Sequence, residues 1–146
     1  RNGNKFNIID LPGTYSIYPS SMDEEVVFQT LGDKNNSLYP DLAVVIGEPS
    51  NLKRSILLYQ QVRDLDVPAI FVINMKDEIE SKGLHIDLEK LATFLQTKVY
   101  LTNARTSEGL DELIDALTKP VQNYQSTFEV PNDFSSAVEQ IQSKNQ

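Results

Sequence analysis

Apolar blocks alternate with polar breaks along this chain, and the blocks come in two rhythms. Residues 5–9 read as a strand, and Ser21-Met22-Asp23-Glu24 is a capping box that opens a helix running toward Leu31. A polar loop, Asp33-Lys34-Asn35-Asn36-Ser37, follows. Residues 42–46 are continuously apolar, the pattern of a strand buried on both faces. Ser50 is expected to cap a helix with Leu52, Ile56, Tyr59 and Val62 on one side, which ends before Pro68. A second buried strand covers 69–73 and a third 99–102; between them Asp87 starts a short helix with Leu88, Leu91 and Leu95 inward. Leu110, Leu113, Ile114 and Leu117 then recur at helical spacing, the stripe of a helix lying on a sheet.

Strand-helix-strand units with all-apolar strands imply an α/β fold, a mostly parallel sheet covered by helices on both faces. In such sheets ligands bind beyond the carboxyl ends of the strands, so polar clusters are expected there. Three occur: Asp10-Leu11-Pro12-Gly13, Asn74-Met75-Lys76-Asp77 and Asn103-Ala104-Arg105. Placed on one edge of one sheet, they would form one site.

Composition narrows the partners. A chain of 146 residues with 40% hydrophobic content suits a compact core, and no run approaches the roughly 18 apolar residues of a spanning helix. A net charge of −8 argues against nucleic acid or anionic lipid as partner, which would need clustered Lys and Arg. With no cysteine and a single histidine, His85, disulfides are excluded and little is left for zinc. A small ligand or another protein fits better.

The clusters carry specific chemistry. The Asp10 carboxylate suits magnesium held through water, because magnesium keeps several waters in an octahedral shell. Gly13 has no β-carbon, so its N–H could approach a terminal phosphate oxygen closely. Alone, an Asp and a Gly three apart also make an ordinary strand-to-turn exit. In the second cluster, an Asp77 carboxylate can accept from both N1–H and the exocyclic N2–H of guanine, whereas adenine offers neither. Asn74 would support that loop and reach N7 or O6, and backbone N–H groups at Ala104 would meet O6. A polar turn at 74–77 and an unremarkable Asn-Ala dipeptide are the bland readings of the same residues.

In this order and at strand ends, the three clusters resemble the Ras-like, translation-factor-related GTPases. A narrower resemblance is to the G domain of ferrous iron transport protein B (FeoB). It rests on Asp10-Leu11-Pro12-Gly13-Thr14-Tyr15-Ser16-Ile17 with Pro19, Ser21 and Glu24-Glu25, on Asn51-Leu52-Lys53-Arg54, and on Asn74-Met75-Lys76-Asp77-Glu78, where Met75 stands in place of the usual Lys. The resemblance implies a Ras-like GTPase fold and a GTP/GDP and Mg2+ site on the cytoplasmic side of the bacterial inner membrane, attached to a membrane permease whose ferrous iron uptake it regulates. It places Asp10, Leu11, Pro12 and Gly13 at the switch that senses the γ-phosphate. Asn74, Met75, Lys76 and Asp77 would grip the base, with Met75 laid along the guanine face. Asn103, Ala104 and Arg105 take the place of the usual Ser-Ala-x loop; Asn103 for Ser bears on how tightly that loop closes, hence on nucleotide release. Residues 1–119 would be a partial G domain, and 120–146, with Phe134, Val138 and Ile141 at helical spacing, a linker and the entry to the family's helical domain.

No Gly-x-x-x-x-Gly-Lys-Ser/Thr phosphate loop occurs in the sequence, nor a threonine-bearing first switch. A preceding segment of about one strand, one helix and a switch is therefore expected in the native protein, and these residues alone are not expected to hydrolyse GTP. Thr14 occupies the position where many GTPases carry a water-orienting Gln, and no catalytic side chain is assignable; Glu48 is expected to cap the helix after it rather than act as a base. Other readings remain open: a GTPase of ribosome assembly or tRNA modification, a degenerate GTPase serving as scaffold, and a non-catalytic α/β module resembling a receiver domain. The oligomer is not specified.

Overall fold

The computed structural model describes residues 3, 5–119 and 132–144. Three parallel strands form its centre: β1 (Ala43–Gly47), β2 (Ala69–Ile73) and β4 (Val99–Leu101), in the order β1-β2-β4. Their register brings Gly47, Ile73 and Leu101 level, so the three strands finish together. Around them lie α1 (Met22–Gly32), α2 (Leu52–Asp64), α3 (Lys76–Ser81), α4 (Leu88–Leu95), α5 (Leu110–Leu117) and α6 (Phe134–Ile141). A second, antiparallel sheet pairs β3 (Leu84–Ile86) with β5 (Gln142–Lys144).

The two faces of β2 divide the core. Phe71 and Ile73 point into the larger cluster with Val27 and Leu31 of α1, Ile56 and Tyr59 of α2, Leu91 and Leu95 of α4, and Val138 and Ile141 of α6. Ile70 and Val72 face the other way, onto Tyr100 and the α5 side chains Leu113, Ala116 and Leu117. Helices thus cover both faces of a parallel sheet, as the strand patterning predicts. All four residues of the α2 stripe are buried, and Leu91 and Leu95 are fully so. Leu110, Leu113, Ile114 and Leu117 of α5 are only half-buried, because the face they cover is narrow.

Local signals set several of the element ends. Ser21 Oγ accepts the Glu24 N–H at 3.2 Å, the predicted cap of α1, and Asp87 Oδ1 accepts the Lys90 N–H at 3.0 Å at the start of α4. Gly47 is required by contact: a β-carbon there would come 2.8 Å from the Phe71 ring and 2.9 Å from Ser55 Cβ.

Four expectations are corrected. Residues 5–9 form no strand; Phe6 and Ile8 are exposed, and the segment lacks a ladder partner among the described residues, without which an extended run is not a strand. β1 is buried on one face only: Val44 and Ile46 are 38% and 62% exposed, and the cluster that α5 joins takes in Ile70, Val72 and Tyr100 but neither of them. Ser50 does not cap α2. It lies in a 3-10 turn, Pro49–Asn51, and its hydroxyl donates to Glu78 instead. Glu48 likewise gives no side-chain cap; its carboxylate receives the Asn51 amide at 3.4 Å.

The helix expected from Phe134, Val138 and Ile141 is α6. It packs on α2 and α4, where Phe94 and Phe134 stack with ring centroids 6.2 Å apart and Lys53 Nζ donates to Ser135 Oγ at 2.7 Å.

Candidate functional site

Beyond Ile73 the backbone of β2 does not stop pairing at once. Asn74 N–H donates to Gly47 O at 3.1 Å, and Thr102 N–H donates to Ile73 O at 2.8 Å. The chain then turns sharply at Met75, whose φ of 65° and ψ of 49° are left-handed, a conformation that costs a non-glycine residue free energy and is held only where surrounding bonds require it. Two such bonds are present: Lys76 N–H reaches Thr102 O at 3.1 Å, and Glu78 N–H reaches Met75 O at 2.9 Å to begin α3. This turn sets Asn74 between the loops and Asp77 at the surface, the carboxylate half exposed.

The loop after β4 is joined to that turn. Asn74 Oδ1 accepts the Ala104 N–H at 3.1 Å and the Thr102 hydroxyl at 3.2 Å. The loop is itself closed by Asn103 N–H to Glu108 O at 2.9 Å and by Arg105 N–H to Asn103 Oδ1 at 3.1 Å. Asn103 is buried, and its side chain does inside the loop what a shorter serine would reach less far to do. Gly109 finishes the loop at a φ of 76°, where a β-carbon would lie 2.2 Å from Leu101 O.

Charges line the same edge. Arg105 Nη1 stands 3.8 Å from Asp77 Oδ2, and Lys76 Nζ is paired with Glu108. Hydrogen bonding to Glu108, with its charge, holds the Lys76 ammonium above the ordinary lysine range. A planar ligand edge offering two N–H donors would meet the exposed carboxylate acceptor of Asp77, and a ligand acceptor beside it would meet the amide hydrogens of Asn74 Nδ2, which make no hydrogen bond among the described residues. Ala104 is less available than its sequence suggests, because its N–H is already committed to Asn74.

Asp10 is exposed, Leu11 packs on the main core, and Gly13 has open space where a β-carbon would be. Among the described residues no hydrogen bond or ion pair joins 10–13 to 74–77 or 103–105, so two of the three clusters are brought together. The segment that follows is fastened down. Ile17 is buried and its N–H donates to Gln61 Oε1 at 3.0 Å, while Arg54 lies over the Tyr15 ring at 4.8 Å. Thr14 turns its hydroxyl onto Ser16 O at 2.5 Å and toward Glu24, which also takes the Ser20 N–H at 2.8 Å. The Ser20 bonds draw the Glu24 carboxyl below its ordinary range.

Magnesium would fit at Asp10 only as an ion that keeps most of its water. The described residues hold no cluster of three or more His, Asp or Glu, and a hydrated magnesium needs no more than one or two carboxylates alongside phosphate oxygens. Asp10 is a donor of that kind.

Three participants escape the sequence reading: Thr102, Glu108 and Gln61. Each acts through a partner at least 28 residues away, so no local spacing points to it.

The family described as ferrous iron transport protein B matches residues 1–117. Among curated relatives, the chain is 38% identical over 113 residues to the Fe(2+) transport protein A/Fe(2+) transporter FeoB fusion protein of Porphyromonas gingivalis, covering 77% of the chain and 13% of that protein. It is 31% identical over 115 residues to the Fe(2+) transporter FeoB of Leptospira biflexa, covering 79% of the chain and 16% of that protein. The chain therefore spans less than a fifth of the length of these relatives. Among solved structures, the FeoB G-domain from Methanococcus jannaschii matches with a TM-score of 0.71 at 31% identity, covering 77% of the chain and 70% of that domain. The cytosolic domain of the T. maritima FeoB iron transporter in a GMPPNP form matches with a TM-score of 0.73 at 27% identity, covering 90% of the chain and 52% of that one.

Proposed function

The chain belongs to the ferrous iron transport protein B family and has the fold of its G domain; on that premise we propose that residues 74–77 and 103–105 form the guanine half of a GTP/GDP site. One observation carries the reading: Asn74 binds both Thr102 and Ala104 and so holds two strand-end loops as one unit beside the exposed Asp77 carboxylate. Asp77 accepts N1–H and N2–H of guanine, Asn74 Nδ2 donates to N7 or O6, and Met75, 40% exposed, covers the base face. The amide of Ala104 reaches O6 only by leaving Asn74.

Asp10 and Gly13 serve as the γ-phosphate sensor, with magnesium held by Asp10 through water. Bonds from Tyr15 and Ile17 to α2 would carry movement of that segment into the body of the domain. In the full-length protein the domain hydrolyses GTP slowly and regulates a ferrous iron permease from the cytosolic side of the membrane. Among the described residues no helix is long and apolar enough to cross a membrane.

The test is nucleotide titration of the full-length protein. GDP is expected to bind and ATP not to. Asp77→Asn removes paired acceptors at the base edge, so GDP affinity should fall by about 2 to 4 kcal/mol while xanthosine diphosphate gains, its C2 oxygen matching an amide donor. Unchanged GDP affinity in that variant would sink the assignment.

A further inference from the structure

The turn at 103–108 is internally closed. Its two ends are bridged by Asn103 N–H to Glu108 O at 2.9 Å, and inside it Thr106 N–H and Arg105 N–H bond back to Asn103 at 3.2 and 3.1 Å. A unit with this much internal bonding moves as one piece, so what matters for a ligand between the loops is how the piece is tied to the 74–77 turn. At its near end the ties are Ala104 and Thr102 on Asn74. At its far end one side-chain contact among the described residues spans the gap, from Lys76 Nζ to the Glu108 carboxylate. Arg105 adds a long, exposed pair to Asp77 at 3.8 Å, too weak to fix a position.

We propose that the Lys76–Glu108 ion pair is a latch that positions the 103–108 turn over the base and sets how fast guanine nucleotide leaves. The inference rests on the guanine reading of this site and gives a positioning role to Lys76, already a member of the 74–77 turn, and to Glu108 outside it. Lys76 is suited to the part because its own N–H is anchored to Thr102 O at 3.1 Å, which fixes the backbone from which its side chain reaches Glu108. Glu108 is suited because its carbonyl closes the turn while its carboxylate holds the turn down. Like any solvent-accessible lysine, Lys76 is charged throughout the neutral range. With the Lys76 side chain one-third exposed and Glu108 about half exposed, the pair is a surface contact, and opening it should be cheap enough to permit turnover.

The experiment is release of a fluorescent GDP analogue from the full-length protein, followed by stopped flow. Lys76→Met and Glu108→Gln should each speed release about two- to fivefold, and the double variant should be no faster than either single one, because both break the same bond. Lys76→Arg should restore the slow rate. At high salt the wild-type rate should rise toward that of the variants. Preference for GDP over xanthosine diphosphate should stay unchanged, since Asp77 is untouched. Wild-type release rates in both single variants, or additive effects in the double variant, overturn the latch while leaving the guanine site standing. A wild-type protein that binds no GDP overturns both.

Discussion

The carboxamide oxygen of Asn74 accepts the backbone N–H of Ala104 at 3.1 Å, across the space between the loops that follow β2 and β4. The same oxygen takes the hydroxyl of Thr102, a residue 2% exposed. Asn74→Ala strands both donors. Ala104 can turn to water, but the buried Thr102 hydroxyl keeps only a distant acceptor, Ile73 O at 3.5 Å. A loss of about 1 to 2 kcal/mol in urea denaturation is expected, together with loss of GDP binding because the two loops separate. A variant of unchanged stability would mean that the loops are held by their backbone bonds alone.

Gly109 poses a steric demand rather than a chemical one. Its φ of 76° is left-handed and the space beside it is filled by the Leu101 carbonyl. Gly109→Ala should therefore cost more than about 2 kcal/mol, as strain and overlap add. The displaced start of α5 should also disturb the 103–108 turn. Thermal denaturation of the variant beside Gly83→Ala makes the comparison sharp: Gly83 also has positive φ, at 57°, but open space around it. Equal losses at the two positions would show that strain alone, not the close approach, decides.

Glu78 ties α3 to the 3-10 turn before α2. Hydrogen bonds from Lys82 and from the Ser50 hydroxyl hold its carboxyl below the ordinary glutamate range. A carboxylate whose folded-state pKa is lowered stabilises the fold above its unfolded-state pKa, and that contribution disappears as pH falls through the folded-state value. Stability should thus decline on acidification from the ordinary glutamate range downward. In Glu78→Gln that decline should be shallower, with Glu24 and Asp87, whose pKa values are also lowered, retaining their own shares. Denaturation midpoints measured from neutral pH into the acid range check this; identical slopes for the two proteins would remove Glu78 from the account.

Where the sequence was legible, the reason is short range. The caps at Ser21 and Asp87, the α2 stripe, and the strand at 69–73 depend on neighbours within a few residues, and each appears where its spacing puts it. Ser50 misleads because a serine before an apolar stripe fits a cap equally well when its true partner, Glu78, is 28 residues on. Residues 5–9 mislead because a strand is a property of a pair, and an apolar run in one segment says nothing about whether a partner lies beside it. β1 misleads in a related way: an apolar run records what could be buried, while tertiary packing decides that Val44 and Ile46 are not.

By itself the sequence determined the parallel α/β class, the order of its central strands and main helices, and the residue types after β2 and β4 that suit guanine. Those are local quantities, written in periodicity and in the chemistry of single side chains. Only the tertiary structure decided that Asn74 spends its oxygen on Ala104 and Thr102, that Lys76 reaches Glu108, and that Gln61 receives the N–H of Ile17. A hydrogen bond is made over about 3 Å in space between residues that the chain keeps 28 or more positions apart, so its existence depends on how level strands bring their ends together.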